Sequence, residues 1–306
     1  MTATTPSTPS TPSTPSNPST PTDPDESADL KDPTDPSTSK GSTPGPTPGG
    51  STRGTRSTAY AALTRAAFLA SVRDRTTVFF TFAFPLVFLA VFGLLFRGQK
   101  VDGGLPYINY VAPGVLSWGV GNAALFGPAF ALMHWRRDDI LRLVWRTPTP
   151  LPTVLGSRFA VAVGVGLCQA VLFTAVAVLP VFGLHLAGDW PLALPLLVLG
   201  VAAFLALGLV VGSLANTPEA VAAIANFVMV PMAFLSGAFY PADLLPGWIQ
   251  AFSWVLPLRF LDHGLTDVLA GRDGLGRYAL DCAGLIGFTV LFGLIAARVF
   301  RWSNRT

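Results

Sequence analysis

The side chains able to do chemistry are few and scattered. Asp262 and His263 are adjacent, and a carboxylate beside an imidazole can serve as an acid–base dyad. This pair stands in a connection between apolar runs, however, where solvated polar residues are the expectation. His134, His185 and His263 lie too far apart in the chain to suggest a metal site. Cys168 and Cys282 fall within or at the edge of apolar runs and read as small buried hydrophobes, not as a disulfide. The sequence has no GxxxxGK[ST] phosphate loop, so the chain lacks the usual means of hydrolysing ATP. GxSxG and HExxH are missing too. No Asp or Glu falls in the middle of an apolar run; Glu219 and Asp281 stand at run ends. Carriers driven by protons or ions keep ionisable groups inside the membrane, which disfavours secondary transport.

The elements that would position these groups are membrane helices. Hydrophobic residues make up 51% of the 306 and charged ones 12%, against roughly 25% charged in a soluble domain. Six runs approach the roughly 20 residues that cross a bilayer: about 78–96, 111–133, 159–183, 192–214, 219–239 and 282–300. Residues 1–56 are Thr, Pro, Ser and Gly with scattered Asp and are expected to be a disordered tail, having almost no apolar surface to bury. Residues 57–77 read as an amphipathic helix lying in the membrane interface: Tyr60, Leu63, Ala67 and Ala70 recur at helical spacing and Arg65, Arg73 and Arg75 make it cationic. With the N-terminus inside, thirteen basic residues fall on the inner side (five before the first run, five including Arg158 before the third, three at the end) and five on the outer. Both termini are therefore expected in the cytoplasm. The net charge of +3 forms no nucleic-acid-binding stripe.

Two connections are long. In the inner one, a helix over 138–146 places Ile140, Leu141, Val144 and Trp145 on one face and Asp138, Asp139, Arg142 and Arg146 on the other. It should stop before Thr147–Pro148. Such a helix either docks into a groove on a soluble partner or lies on the membrane surface. The outer connection contains Pro241, Pro246 and Pro257, with LLPGWIQAFSWVL and LRFLDHGLTDVL between them, each too short to span. Re-entrant or interfacial helices fit. Phe239, Pro241, Leu245, Pro246, Trp248, Pro257 and Leu258 form either an outer gate or a static cap. Within the runs, Asn122, Gln169 and Asn226 either line a polar path or hydrogen-bond between helices. Gly208 and Gly212 form a GxxxG, expected to serve internal packing more than a dimer seam.

Three stretches carry a family likeness: LTRAAFLASVRDRTTVFFTFAFPLVFLAVFGLLF, YVAPGVLSWGV, and FLSGAFYPADLLPGWIQAFSWVLPLRFLDHGL. Through them, over about residues 57–303, the chain resembles the permease subunits of ABC-2 type exporters, most closely the daunorubicin-resistance-like antibiotic exporters. In the inner loop Leu141, Arg142, Thr147 and Pro148 agree with the family pattern, while Asp139 stands where Gly is usual. The resemblance implies an all-α integral membrane protein: six transmembrane helices with an N-terminal interfacial helix, a cytoplasmic coupling helix and extracellular re-entrant helices. It implies a second permease copy, as a homodimer or with a similar partner, and a separate ABC ATPase that holds the ATP-Mg; this chain binds no cofactor directly. The inner loop would touch that ATPase, so Arg136, Arg137, Asp138, Asp139, Leu141, Arg142, Thr147 and Pro148 are the expected coupling residues. The resemblance implies an antibiotic-like small molecule as cargo, and the mostly aliphatic and Phe runs favour a hydrophobic cargo over a polymer. Export of a glycan or lipid, a non-transporting scaffold and a membrane-embedded enzyme are the alternatives. Deleting residues 1–56 separates scaffold from exporter: an exporter keeps its transport in whole-cell efflux assays, whereas a scaffold whose tail binds its partner loses function.

Overall fold

In the computed structural model the structure describes residues 75–100, 106–138, 151–186, 188–240, 245–270 and 275–302, together with 60, 61, 64–69 and 73 of a helical stretch before them. The tail over 1–56 lies outside the described residues. Eight helices follow in order: α1 (Arg75–Leu95), α2 (Tyr107–Arg137), α3 (Leu151–Ala177), α4 (Ala193–Leu214), α5 (Pro218–Leu235), α6 (Gly247–Ser253), α7 (Pro257–Ala270) and α8 (Leu275–Trp302). Six of them, α1 to α5 and α8, are long and apolar enough to cross a membrane. The only β pairing among the described residues is an isolated bridge between Lys100 and Pro106.

Several helix bounds differ from the apolar runs, for local reasons. α3 starts at Leu151 and stops at Ala177, where the run suggested 159–183. Pro180 cannot donate to the helix and its ring crowds the preceding turn, so the chain turns instead, with Leu184 N–H donating to Ala177 O at 3.0 Å. Arg158, expected in the inner loop, thus lies two turns inside α3. α8 begins at Leu275 instead of 282 and takes Asp281 into the helix. α5 starts as its sequence dictates: Thr217 caps it, accepting from Ala220 N–H at 3.2 Å, and Pro218 occupies the first helical position. Pro85, Pro113, Pro128 and Pro231 sit inside helices, as membrane bundles tolerate.

α2 and α4 form the centre. The buried share is 67% in the second span and 61% in the fourth, against 11–28% in the others. Small residues allow this. A Cβ added at Gly208 would collide with the carbonyl of Leu125, and one at Gly212 with that of Ala129. The GxxxG is therefore an internal α2–α4 seam. α7 is drawn into the bundle in the same way, with Leu261 filling a notch over Gly200 of α4 and Phe260 one over Gly284 of α8. Leu258, Leu261 and Leu265 of α7 are fully buried. In the leading helical stretch Ala67 is buried, Phe68 and Leu69 are half exposed, and Tyr60 donates to the Gly156 carbonyl of α3 at 3.2 Å.

Gly208→Val should separate α2 from α4 and destabilise the protein by about 1–3 kcal/mol. Gly127→Ala, at a glycine with no neighbour within 4 Å of an added Cβ, should leave it unchanged. Thermal unfolding of the detergent-solubilised protein distinguishes the two.

Candidate coupling end and outer cap

The coupling set divides. α2 runs past the apolar core to Arg137 and is closed by Asp138, whose N–H donates to His134 O at 2.9 Å. Arg136 turns inward and donates to the carbonyls of Gly212, at 3.4 Å, and Ser213. These are terminal carbonyls of α4, which a cation at a helix C-terminus satisfies. Arg137 and Asp138 are exposed, and Glu219 at the start of α5 lies within electrostatic reach of Arg137. Asp139, Leu141, Arg142, Thr147 and Pro148 lie outside the described residues.

The outer set divides too. After α5 the chain reverses at Gly237, whose φ of +98° suits glycine. Three donors hold the turn: Tyr110 bonds the carbonyls of Gly237 and, at 3.1 Å, Tyr240; Tyr107 bonds Phe239 O at 3.3 Å; Arg259 bonds Ser236 O at 3.2 Å. The backbone of Ala238 presses on Gly114, where no side chain would fit. Phe239 is buried, its ring 5.3–5.9 Å from Phe88, Phe92, Trp118 and Phe234. It closes α1, α2 and α5 over one another. Leu258 is buried and Pro257 opens α7, whereas Pro246 and Trp248 are exposed and Leu245 half-buried. Pro241 lies outside the described residues. Tyr107, Tyr110 and Arg259 were missed from sequence. Two tyrosines three apart at a span start were the available signal, because an amphipathic ring at the interface keeps its hydroxyl for a backbone partner.

The polar residues of the spans are not brought together. Asn122 donates to Trp118 O of its own helix at 2.8 Å, not across helices. Gln169 is buried against Gly119, with no hydrogen-bond partner among the described residues. Asn226 is on the exposed face of α5.

Asp262 and His263 require a correction. They are not solvated loop residues, because α7 carries them into the bundle. Asp262 and Asp281 are 5% and 1% exposed. His263 Nδ1 lies 3.1 Å from Oδ2 of both Asp267 and Asp281, and the three groups offer ligand atoms within 4.8 Å of one another. The histidines as a set are scattered, as read, but one of them meets two carboxylates that sequence distance concealed. The i, i+4 pair His263–Asp267 was the visible half of the signal. Burial pushes the Asp262 carboxyl up to about 7, against the pull of Arg259 and His263. The hydrogen bond to Asp281 holds His263 above its ordinary value, against desolvation.

Six helices long and apolar enough to cross a membrane, with α6 and α7 at one end and charged helix ends at the other, define a multi-pass membrane protein. The match to known families agrees: residues 58–270 fit the family described as ABC-2 type transporter, and the chain belongs to that family. It is a permease subunit of an ABC transporter, whose ATPase is a separate protein. Among relatives, the inner membrane transport permease YadH of Escherichia coli (strain K12) is 26% identical over 220 residues, covering 71% of this chain and 82% of the relative. The daunorubicin resistance ABC transporter permease protein DrrB1 of Streptomyces coeruleorubidus is 26% identical over 238 residues, 72% of this chain and 78% of the relative. Nodulation protein J of Sinorhizobium fredii (strain NBRC 101917 / NGR234) is 28% identical over 205 residues, 65% and 75%.

Both raised groups hold more protons folded than unfolded, Asp262 between 3.8 and about 7 and His263 above 6.5. Stability therefore falls as pH climbs through that range. The melting temperature in detergent should drop by about 2–4 °C between about pH 6 and about pH 8. Asp262→Asn, which has no charge to bury, should flatten this slope; an unchanged slope in the variant would remove Asp262 as its source.

Proposed function

We propose that the chain exports a hydrophobic, drug-like small molecule from the cytoplasm, using ATP hydrolysed by a separate ABC ATPase that docks at the Arg137 end of the bundle. The carrying observation is the likeness to a daunorubicin resistance permease over 72% of the chain, joined to spans whose side chains are mostly aliphatic and Phe. A polymer path would need polar groups in a continuous line, and Asn122, Gln169 and Asn226 do not make one.

A second copy of the chain completes the permease on this reading. The face of α5 bearing Asn226, Phe227, Val230 and Phe234 is uncovered, with Phe227 81% exposed. A carboxamide facing lipid is costly, and a neighbouring helix supplies the partner it lacks. On this reading both termini are cytoplasmic, which the basic-residue bias supports. Coupling then belongs to Arg137, Asp138 and the loop after them, with Arg136 acting through α4, whose end it holds.

Charge reversal at Arg137 and Arg142 tests the docking role without disturbing that hold. With the partner ATPase co-expressed, Arg137→Glu with Arg142→Glu should cut both co-purified ATPase and efflux of a fluorescent hydrophobic drug by about ten-fold or more. Undiminished co-purification and efflux would sink the proposal. Loss of efflux with the ATPase still bound would put these residues in transmission, not docking.

A further inference from the structure

A part-open cavity of about 220 Å³ lies where α2, α3, α4 and α8 meet, on the half of the bundle that ends in Arg136 and Arg137. Its lining is aliphatic, including Leu132, Leu205, Leu209 and Ala296, except for the Trp135 ring and the Arg158 guanidinium. Arg158 is part-buried. Its guanidinium carbon stands 4.9 Å from the centre of the Trp135 ring, and it forms no ion pair among the described residues. A tryptophan face attracts and orients a guanidinium but does not neutralise it. Charges drawn into apolar surroundings are normally paired, and none of the described residues pairs this one.

The cavity says what kind of anion. Arg158 is seven residues into α3, about 10 Å from its start at 1.5 Å per residue. Trp135 sits just before the end of α2. Both therefore lie at the depth where tryptophan rings and lipid headgroups meet. A soluble anion would gain nothing from the aliphatic walls, and a neutral hydrocarbon would leave the guanidinium unpaired. A guanidinium matches phosphate oxygens bidentately.

We propose that this cavity is a binding site for an anionic phospholipid of the surrounding bilayer, with its headgroup phosphate on Arg158 and part of one acyl chain against Leu132, Leu205, Leu209 and Ala296. The site joins four helices, so a seated lipid fills a gap in their packing. It depends only on the chain's being embedded in a membrane and stands whether or not the cargo is drug-like.

The full-length protein, reconstituted in an equal mixture of phosphatidylglycerol and phosphatidylcholine and extracted in mild detergent, should retain phosphatidylglycerol about five-fold over phosphatidylcholine, as expected for one added cationic contact. Arg158→Gln should bring that ratio to about one, Arg158→Lys should keep part of it, and Arg298→Gln, at an exposed cation of α8, should keep all of it. Ala296→Phe, which fills the cavity and leaves Arg158 in place, should lower phosphatidylglycerol retention. It decides the matter if Arg158→Gln fails to fold. Equal retention of the two lipids by the wild type, an unchanged ratio in Arg158→Gln, or unchanged retention in Ala296→Phe would each overturn the assignment. Displacement of the lipid by inorganic phosphate would overturn it too, by showing a site for the anion alone.

Discussion

Hydrocarbon supplies no hydrogen-bond partner, so every backbone N–H and C=O that this chain carries to membrane depth must find its partner within the protein. That constraint explains where the structure is regular and where it is not. Within the spans the backbone is helical even through Pro85, Pro113, Pro128 and Pro231. Where the helix breaks after α5, donors converge on the freed carbonyls: Tyr107, Tyr110 and Arg259 take those of residues 236, 237, 239 and 240. At the other end Arg136 does the same for the last turn of α4. These two breaks are stitched to α2 and α7, whereas the end of α3 closes on its own turn through Leu184 and Ala177.

Close packing follows from the same constraint. With lipid as apolar as leucine, helices gain by approaching until backbone meets backbone, and glycine permits that approach. Gly114, Gly208 and Gly212 do so along α2, against Ala238, Leu125 and Ala129. α2 thereby connects the Gly237 turn, the α4 seam and the charged Arg137 end in one continuous element. A displacement at its Arg137 end reaches the Phe239 cluster through a single helix. This gives a physical route for coupling between the ends on the reading proposed above.

Much of the fold was legible because membrane helices are written in composition. Six apolar runs gave six spans, and the prolines of the outer connection marked the breaks around α6 and α7. The GxxxG read as internal packing, and Gly208 and Gly212 meet α2. What failed to show was depth. Arg158 and Asp281 were placed outside the spans because charged residues end an apolar run, yet a helix does not end where its apolar run does. Asp262 and His263 stand in a connection between apolar runs, where solvated residues are the expectation, and position along the chain does not reveal that the bundle covers α7. Arg136 was grouped with its neighbours by charge alone; its direction, toward the α4 carbonyls, depends on which helix happens to end beside it.

The buried acid–imidazole group now sets a condition on any motion of α7 against α8. Asp262, His263 and Asp267 belong to α7, and Asp281 to α8. His263 bridges the two helices through Asp281 at 3.1 Å. If α7 moved away from α8, the buried Asp281 would lose the imidazole that Asp267 keeps, and an unpaired buried carboxylate is costly unless water or a proton follows. The backbone stitches at Gly237 and Tyr240 carry no such charge, and breaking them costs less. An opening that swings the outer turn while α7 stays on α8 therefore requires less energy than one that parts α7 from α8. The Phe239 cluster is held by ring contacts and two tyrosine hydroxyls, and Arg259 ties the same turn to α7 through the Ser236 carbonyl, so on the gate reading that charged bond is the one a swing of the turn must break.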